Sequence, residues 1–155
     1  MDLILARAIH VLSVVTWIGG VAFVTMVLFP AVRRAHPAPG RLAAFIQFEG
    51  RFAPQARTAV AIAGLSGLYM VARLDAWDRF TSLRFWWMHA MVCLWLVFAL
   101  MLFVIEPFIL HRRLARAVDS PDSGRVFDRM ERMHRVLLAL SLITVFGAVA
   151  GSHGL

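Results

Sequence analysis

Two histidines stand in stretches too apolar to sit in water, and histidine is the side chain that ligates metals, relays protons and holds haem iron. His10 lies in RAIHVLSVVTWIGG, from Arg7 to Gly20, and His89 lies in WWMHAMV, from Trp86 to Val92. An ionisable ring at membrane depth carries a desolvation cost, so each is expected to face the protein interior and to be held by a partner, a metal or a cofactor. Ser13, Val14 and Trp17 fall at i+3, i+4 and i+7 from His10 and share its helical face, with Gly20 one turn beyond. Val92, Cys93 and Leu96 bear the same relation to His89 and are expected to form an apolar wall. Arg7 stands one turn toward the chain start from His10, and Arg79 and Arg84 precede His89; their guanidiniums suit carboxylates such as those of a porphyrin.

The elements that must position these rings are legible from composition. The chain has 155 residues, 61% of them hydrophobic and 16% charged, and its mean hydropathy is +0.75. Those values exclude a soluble globular domain and indicate a polytopic membrane protein. The net charge of +7 comes from arginines in the connections between apolar runs, so it reports topology, and no nucleic-acid partner is expected. The fold class is therefore all-α: an integral membrane, antiparallel four-helix bundle forming a single membrane domain over 1–155. Its helices are expected at about 3–32, 52–73, 85–110 and 132–152. The first run is about twice the length of a signal-peptide core and is expected to be retained. Pro37, Pro39 and Gly40 open the first connection. Val126 to Met133 reads as an amphipathic extension of the fourth helix.

Several positions carry packing signals. Ala59, Ala63, Gly64 and Gly67 give the second helix a small-residue stripe, which lets a neighbouring helix or a flat group approach the backbone. Gly147 and Gly151 form a GxxxG pair, a possible helix-packing or homodimer face. Arg57 and Glu106 belong near the same end of their helices and are expected to pair. Cys93 is the single cysteine, so there is no internal disulfide and no cysteine-cluster zinc site.

Arginine placement orients the bundle. Arg33, Arg34, Arg41 and Arg51 flank the first connection, and seven arginines from Arg112 to Arg135 flank the third, against Arg7, Arg73, Arg79 and Arg84 at the other end. The positive-inside rule then puts both termini outside, which in a bacterial inner membrane means the periplasm. Helices one and three run inward together, so His10 and His89 lie at similar depth, within about 3 Å by helical rise. Two histidines on facing helices can ligate a planar group from both sides, as cofactors are held in helix bundles. That pattern points to haem b with bis-histidine ligation and to electron transfer at the periplasmic face, with quinone or a periplasmic electron carrier as partner. The alternative is a copper-binding or copper-transport protein in which the same histidines are joined by a nearby Met or Cys. His153 lies on the same side as a further candidate ligand. His134, with His36 and His111 near it, offers a second position at the opposite end. A third reading is a structural subunit whose histidines only hydrogen-bond across helices.

The first-helix segment AIHVLSVVTWIGGVAF, the second-helix segment RFAPQARTAVAIAGLSGLYM and the third-helix WWMHAMV resemble small four-helix membrane proteins of the copper-resistance D (CopD-like) superfamily. The resemblance covers most of the chain and implies an inner-membrane protein associated with copper or haem. The HemJ-type membrane haem proteins share the first-helix histidine. Their pattern also includes a lysine, and this chain contains none, which argues against their porphyrinogen-oxidising activity.

Overall fold

The computed structural model describes residues 1–110 and 116–152, without the side chains of 109, 110 and 152. The described residues are helical with short connections and contain no strand, so the chain is an all-α membrane protein. Helix α1 runs Asp2–Ala35 and α2 runs Ala38–Arg73. Helix α3 runs Trp86–Leu100 and continues as the π-helical segment Met101–Leu110, and α4 runs Ser123–Ser152. Spans Asp2–Ala35, Leu83–Phe108 and Ser123–Gly151 are long and apolar enough to cross a bilayer. The equally long α2 has no stretch as apolar as those three spans, and it packs along α1 in the most extensive helix pair. One end of the bundle holds the start of α1, the α2–α3 connection and the end of α4; we call it the terminal end. The opposite, arginine end holds the α1–α2 turn and the start of α4.

Two helices begin earlier than expected. Helix α2 starts at Ala38 instead of near 52, leaving only His36 and Pro37 as the turn. Pro39 sits in the first helical turn, where a missing N–H has no intrahelical partner to lose, so the Pro-rich stretch starts a helix instead of breaking one. Leu42, Phe45 and Ile46 then recur at helical spacing, and Leu42 and Phe45 are fully buried. Helix α4 starts at Ser123, so the amphipathic extension expected over Val126 to Met133 is present. Its Phe127 and Met130 close on Phe29, Val32, Leu42 and Phe45 to form the core of the arginine end. There Phe29 stacks on Phe45 with centroids 4.4 Å apart, and Phe127 meets Phe29 edge-on at 5.2 Å.

Helices α1 and α3 both widen ahead of a proline. Val24–Leu28 is a π-turn, with the Phe29 N–H donating five residues back to Val24, and Pro30 follows. Met101–Leu110 is π-helical with Pro107 inside. A proline ring collides with the carbonyl four residues back and cannot donate to it, and a wider turn moves that carbonyl aside. In the five-residue register, Pro107 is the position that would donate to the Leu102 carbonyl. Arg57 Nε takes its place at 2.9 Å, while Arg57 Nη2 reaches Glu106 at 3.1 Å. The expected Arg57–Glu106 pair thus exists and also serves a backbone acceptor that the proline leaves open.

Candidate functional site

His10 projects from α1 into the seam with α2. Its Nδ1 lies 3.0 Å from the Ala63 carbonyl and 3.1 Å from Ser66 Oγ. The Ser66 hydroxyl donates its one hydrogen to the Ile62 carbonyl at 2.6 Å, so its oxygen accepts. Two acceptors at Nδ1 place the proton there and leave Nε2 as the lone-pair nitrogen, the arrangement by which a backbone carbonyl orients a metal-ligating imidazole. Gly67 makes this approach possible: a Cβ on it would sit 3.1 Å from His10 Cε1.

The same construction recurs one step along α2. Trp95 of α3 donates from Nε1 to the Val60 carbonyl at 2.8 Å. A Cβ on Gly64 would fall 2.5 Å from the indole. In each case the residue four positions after the accepting carbonyl is glycine, and its missing side chain bares that carbonyl to a ring N–H. The small-residue stripe of α2 therefore seats two flat rings, one from each neighbouring helix. The GxxxG pair of α4 is filled likewise: Trp86 lies against Gly147 and Trp87 against Gly151. That face is occupied from within the chain, which is the helix-packing alternative of its two readings.

His89 is engaged differently. Its Nδ1 lies 3.1 Å from the Phe85 carbonyl, and its Nε2 lies 3.0 Å from the Phe80 carbonyl. The ring fastens the start of α3 to the 3-10 segment Ala76–Thr81, and neither nitrogen is turned to a helix-one partner. The remaining candidates are spread out. Ser13 is buried, and its hydroxyl donates to the His10 carbonyl of its own helix at 2.8 Å. Trp17 is buried against Ala59, Val60, Ala63 and Phe98, and its Nε1 has no hydrogen-bond partner among the described residues. Gly20 has open space where a side chain would stand. Cys93 is exposed, as are Val92 and Leu96, so this trio forms an outer face of α3 and not the expected interior wall. Arg7 and Arg84 are exposed.

At the arginine end, His134 Nδ1 bonds back to the Met130 carbonyl at 2.9 Å, and its ring meets Phe29 edge-on at 5.1 Å. His153 and His111 lie outside the described residues. Among the described residues no three His, Cys, Asp or Glu side chains converge on one point. Beside His134 a charge cluster went unread in the sequence. Arg33 pairs with Asp128 at 2.7 Å and with the buried Glu131, which also receives Arg135. Its signal was the acid and arginine spacing on the first turns of α4.

Comparison with known families matches residues 46–151 to the family described as Copper resistance protein D. Comparison with the curated proteins and with the solved structures gives no match.

Proposed function

Because the chain belongs to the copper resistance protein D family, we propose that it handles copper within the membrane, through a site built on His10 at the terminal end of the bundle. The observation that carries this reading is the His10 ring: Nδ1 is fixed on Ala63 and Ser66, which presents Nε2 as a donor nitrogen. Imidazole suits copper, and a locked tautomer removes the reorganisation that a free ring would undergo on binding. Copper here is cargo or a bound ion; the chain's own contribution is to hold the ring and to keep its second nitrogen unprotonated. The arginine distribution supports a bacterial inner membrane location with both termini periplasmic, which sets His10 near the periplasmic face. A haem b between His10 and His89 would require His89 Nε2 to give up the Phe80 carbonyl while Nδ1 stayed on Phe85, and the copper reading through His10 asks for no such change.

The test is a Cu(I) titration of the detergent-purified protein beside His10→Ala, with an absorption spectrum of the same sample from haem-supplied cells. One copper per chain, lost in His10→Ala, is the expected result. A Soret band with sharp reduced α and β bands, abolished by either histidine variant, would replace copper with haem b and an electron-transfer role toward quinone or a periplasmic carrier.

A further inference from the structure

One nitrogen does not hold Cu(I), so the copper reading requires a second donor, and the terminal end offers few. His89 has a backbone carbonyl at each ring nitrogen, Phe85 at Nδ1 and Phe80 at Nε2, and Cys93 is exposed. On α2, however, the His10 ring follows the helix in a definite direction. Nδ1 stands at Ala63 and Ser66, and Cε1 stands at Gly67, one position further along. The next ring atom is Nε2, and the next residue on the same α2 stripe is Met70, at i+3 from Gly67 and i+7 from Ala63. Helical side chains lean back over the turn that precedes them, so a long side chain at Met70 is directed along the stripe toward Gly67, whose vacant Cβ position has only the His10 ring within 4 Å. Met70 is half-buried, which suits a side chain that lies along the seam. Its thioether is soft, unbranched and adaptable, and Cu(I) favours that donor.

We propose that Met70 supplies the thioether that, with His10 Nε2, forms a two-donor Cu(I) site on the α1–α2 seam; this rests on the copper reading above. The glycine at 67 then has two uses: it admits the imidazole to the Ala63 carbonyl, and it leaves room for sulfur beside the ring. Ser66 acts as a positioning residue through its acceptor oxygen at Nδ1.

The experiment loads the intact protein anaerobically with one equivalent of Cu(I) and records copper K-edge fine structure and competition against a chromogenic Cu(I) chelator. Wild type, His10→Ala, Met70→Leu and Met88→Leu are compared. Met70→Leu conserves volume and should fold, which circular dichroism checks. The expected result is a sulfur neighbour in wild type and Met88→Leu, its loss in Met70→Leu, and affinity about tenfold or more weaker in that variant, a scale that even an outer partner's loss produces. If His10-dependent copper keeps its sulfur signal and affinity in Met70→Leu, the assignment of Met70 is overturned while the copper reading stands. If wild type binds no Cu(I) that depends on His10, the copper reading itself falls.

Discussion

The two ends of this bundle bury polar groups in opposite ways. At the arginine end the ion pairs tie helices together, Arg33 with Asp128 and Glu131 and Arg57 with Glu106, and Arg135 joins Glu131 from within α4. Three phenylalanines seal that end from α1, α2 and α4. Toward the terminal end, inside the exposed Asp2–Arg73 pair that joins the ends of α1 and α2, the interhelical bonds are ring N–H groups on backbone carbonyls bared by glycine, from Trp95 to Val60 and from His10 to Ala63. A charge pair uses up both partners, whereas an imidazole held by one nitrogen keeps the other for chemistry. The first end is closed by its pairs, and the second keeps one imidazole nitrogen that the copper proposal puts to use.

The contrast breaks most severely at the glycine seats. Gly64→Val puts a branched side chain where the Trp95 indole lies; the ring must leave and its bond to Val60 is lost. A destabilisation of about 2–4 kcal/mol is expected, from overpacking together with one buried hydrogen bond, measured as the shift in thermal unfolding in detergent. The damage should reach the His10 seam, since both rings share α2.

At the other end, Arg57→Met leaves Glu106 without its counter-charge and the Leu102 carbonyl without a donor. About 2–3 kcal/mol should be lost, below the range for a fully buried pair because both side chains are partly exposed. The charge-swapped double variant, Arg57→Glu with Glu106→Arg, should recover only part of this, because a glutamate at 57 cannot donate to Leu102. Full recovery would mean that the carbonyl contact contributes nothing.

The smallest effect sharpens the comparison through pH. Glu49 lies on α2 before its apolar stretch, and burial followed by the nearby Glu106 pushes its carboxyl up to about 7 from 4.5. The folded state therefore holds this proton more tightly than the unfolded chain does. Its contribution is complete below about pH 4.5 and is lost as pH rises through about 7. Melting temperature should fall across that interval, and Glu49→Gln should flatten the slope. Copper affinity at His10 should not follow Glu49, which stands at the other end.

The membrane class, the helical architecture, the Arg57–Glu106 pair and the amphipathic start of α4 were all readable as residues. What could not be read has physical causes. In a bilayer both the interior and the exterior of a helix are apolar, so the periodicity that places Val92, Cys93 and Leu96 on the His89 face cannot say whether that face meets protein or lipid. The start of α2 escaped for the converse reason: Leu42, Phe45 and Ile46 are spaced among charged and small residues, and mean hydropathy over that window stays low. The glycines announced close approach, but sequence spacing does not distinguish a second chain from Trp86, Trp87 or Trp95 of the same one. His10 showed its need for a partner, but not that α2 would provide it.

The π-turn at Val24–Leu28 has a consequence for the phase of α1. A π-turn holds one residue more than an α-turn, and one residue is about 100° of rotation about the axis. Faces counted in ordinary steps from His10 thus cease to apply beyond Leu28. Deleting one residue inside that turn would leave α1 continuous, as a plain helix of nearly the same length, yet would carry Arg33 about a quarter of the way round and away from Asp128 and Glu131. Single-residue length changes in this segment are therefore silent in helix content while being decisive for which helix α1 is clasped to.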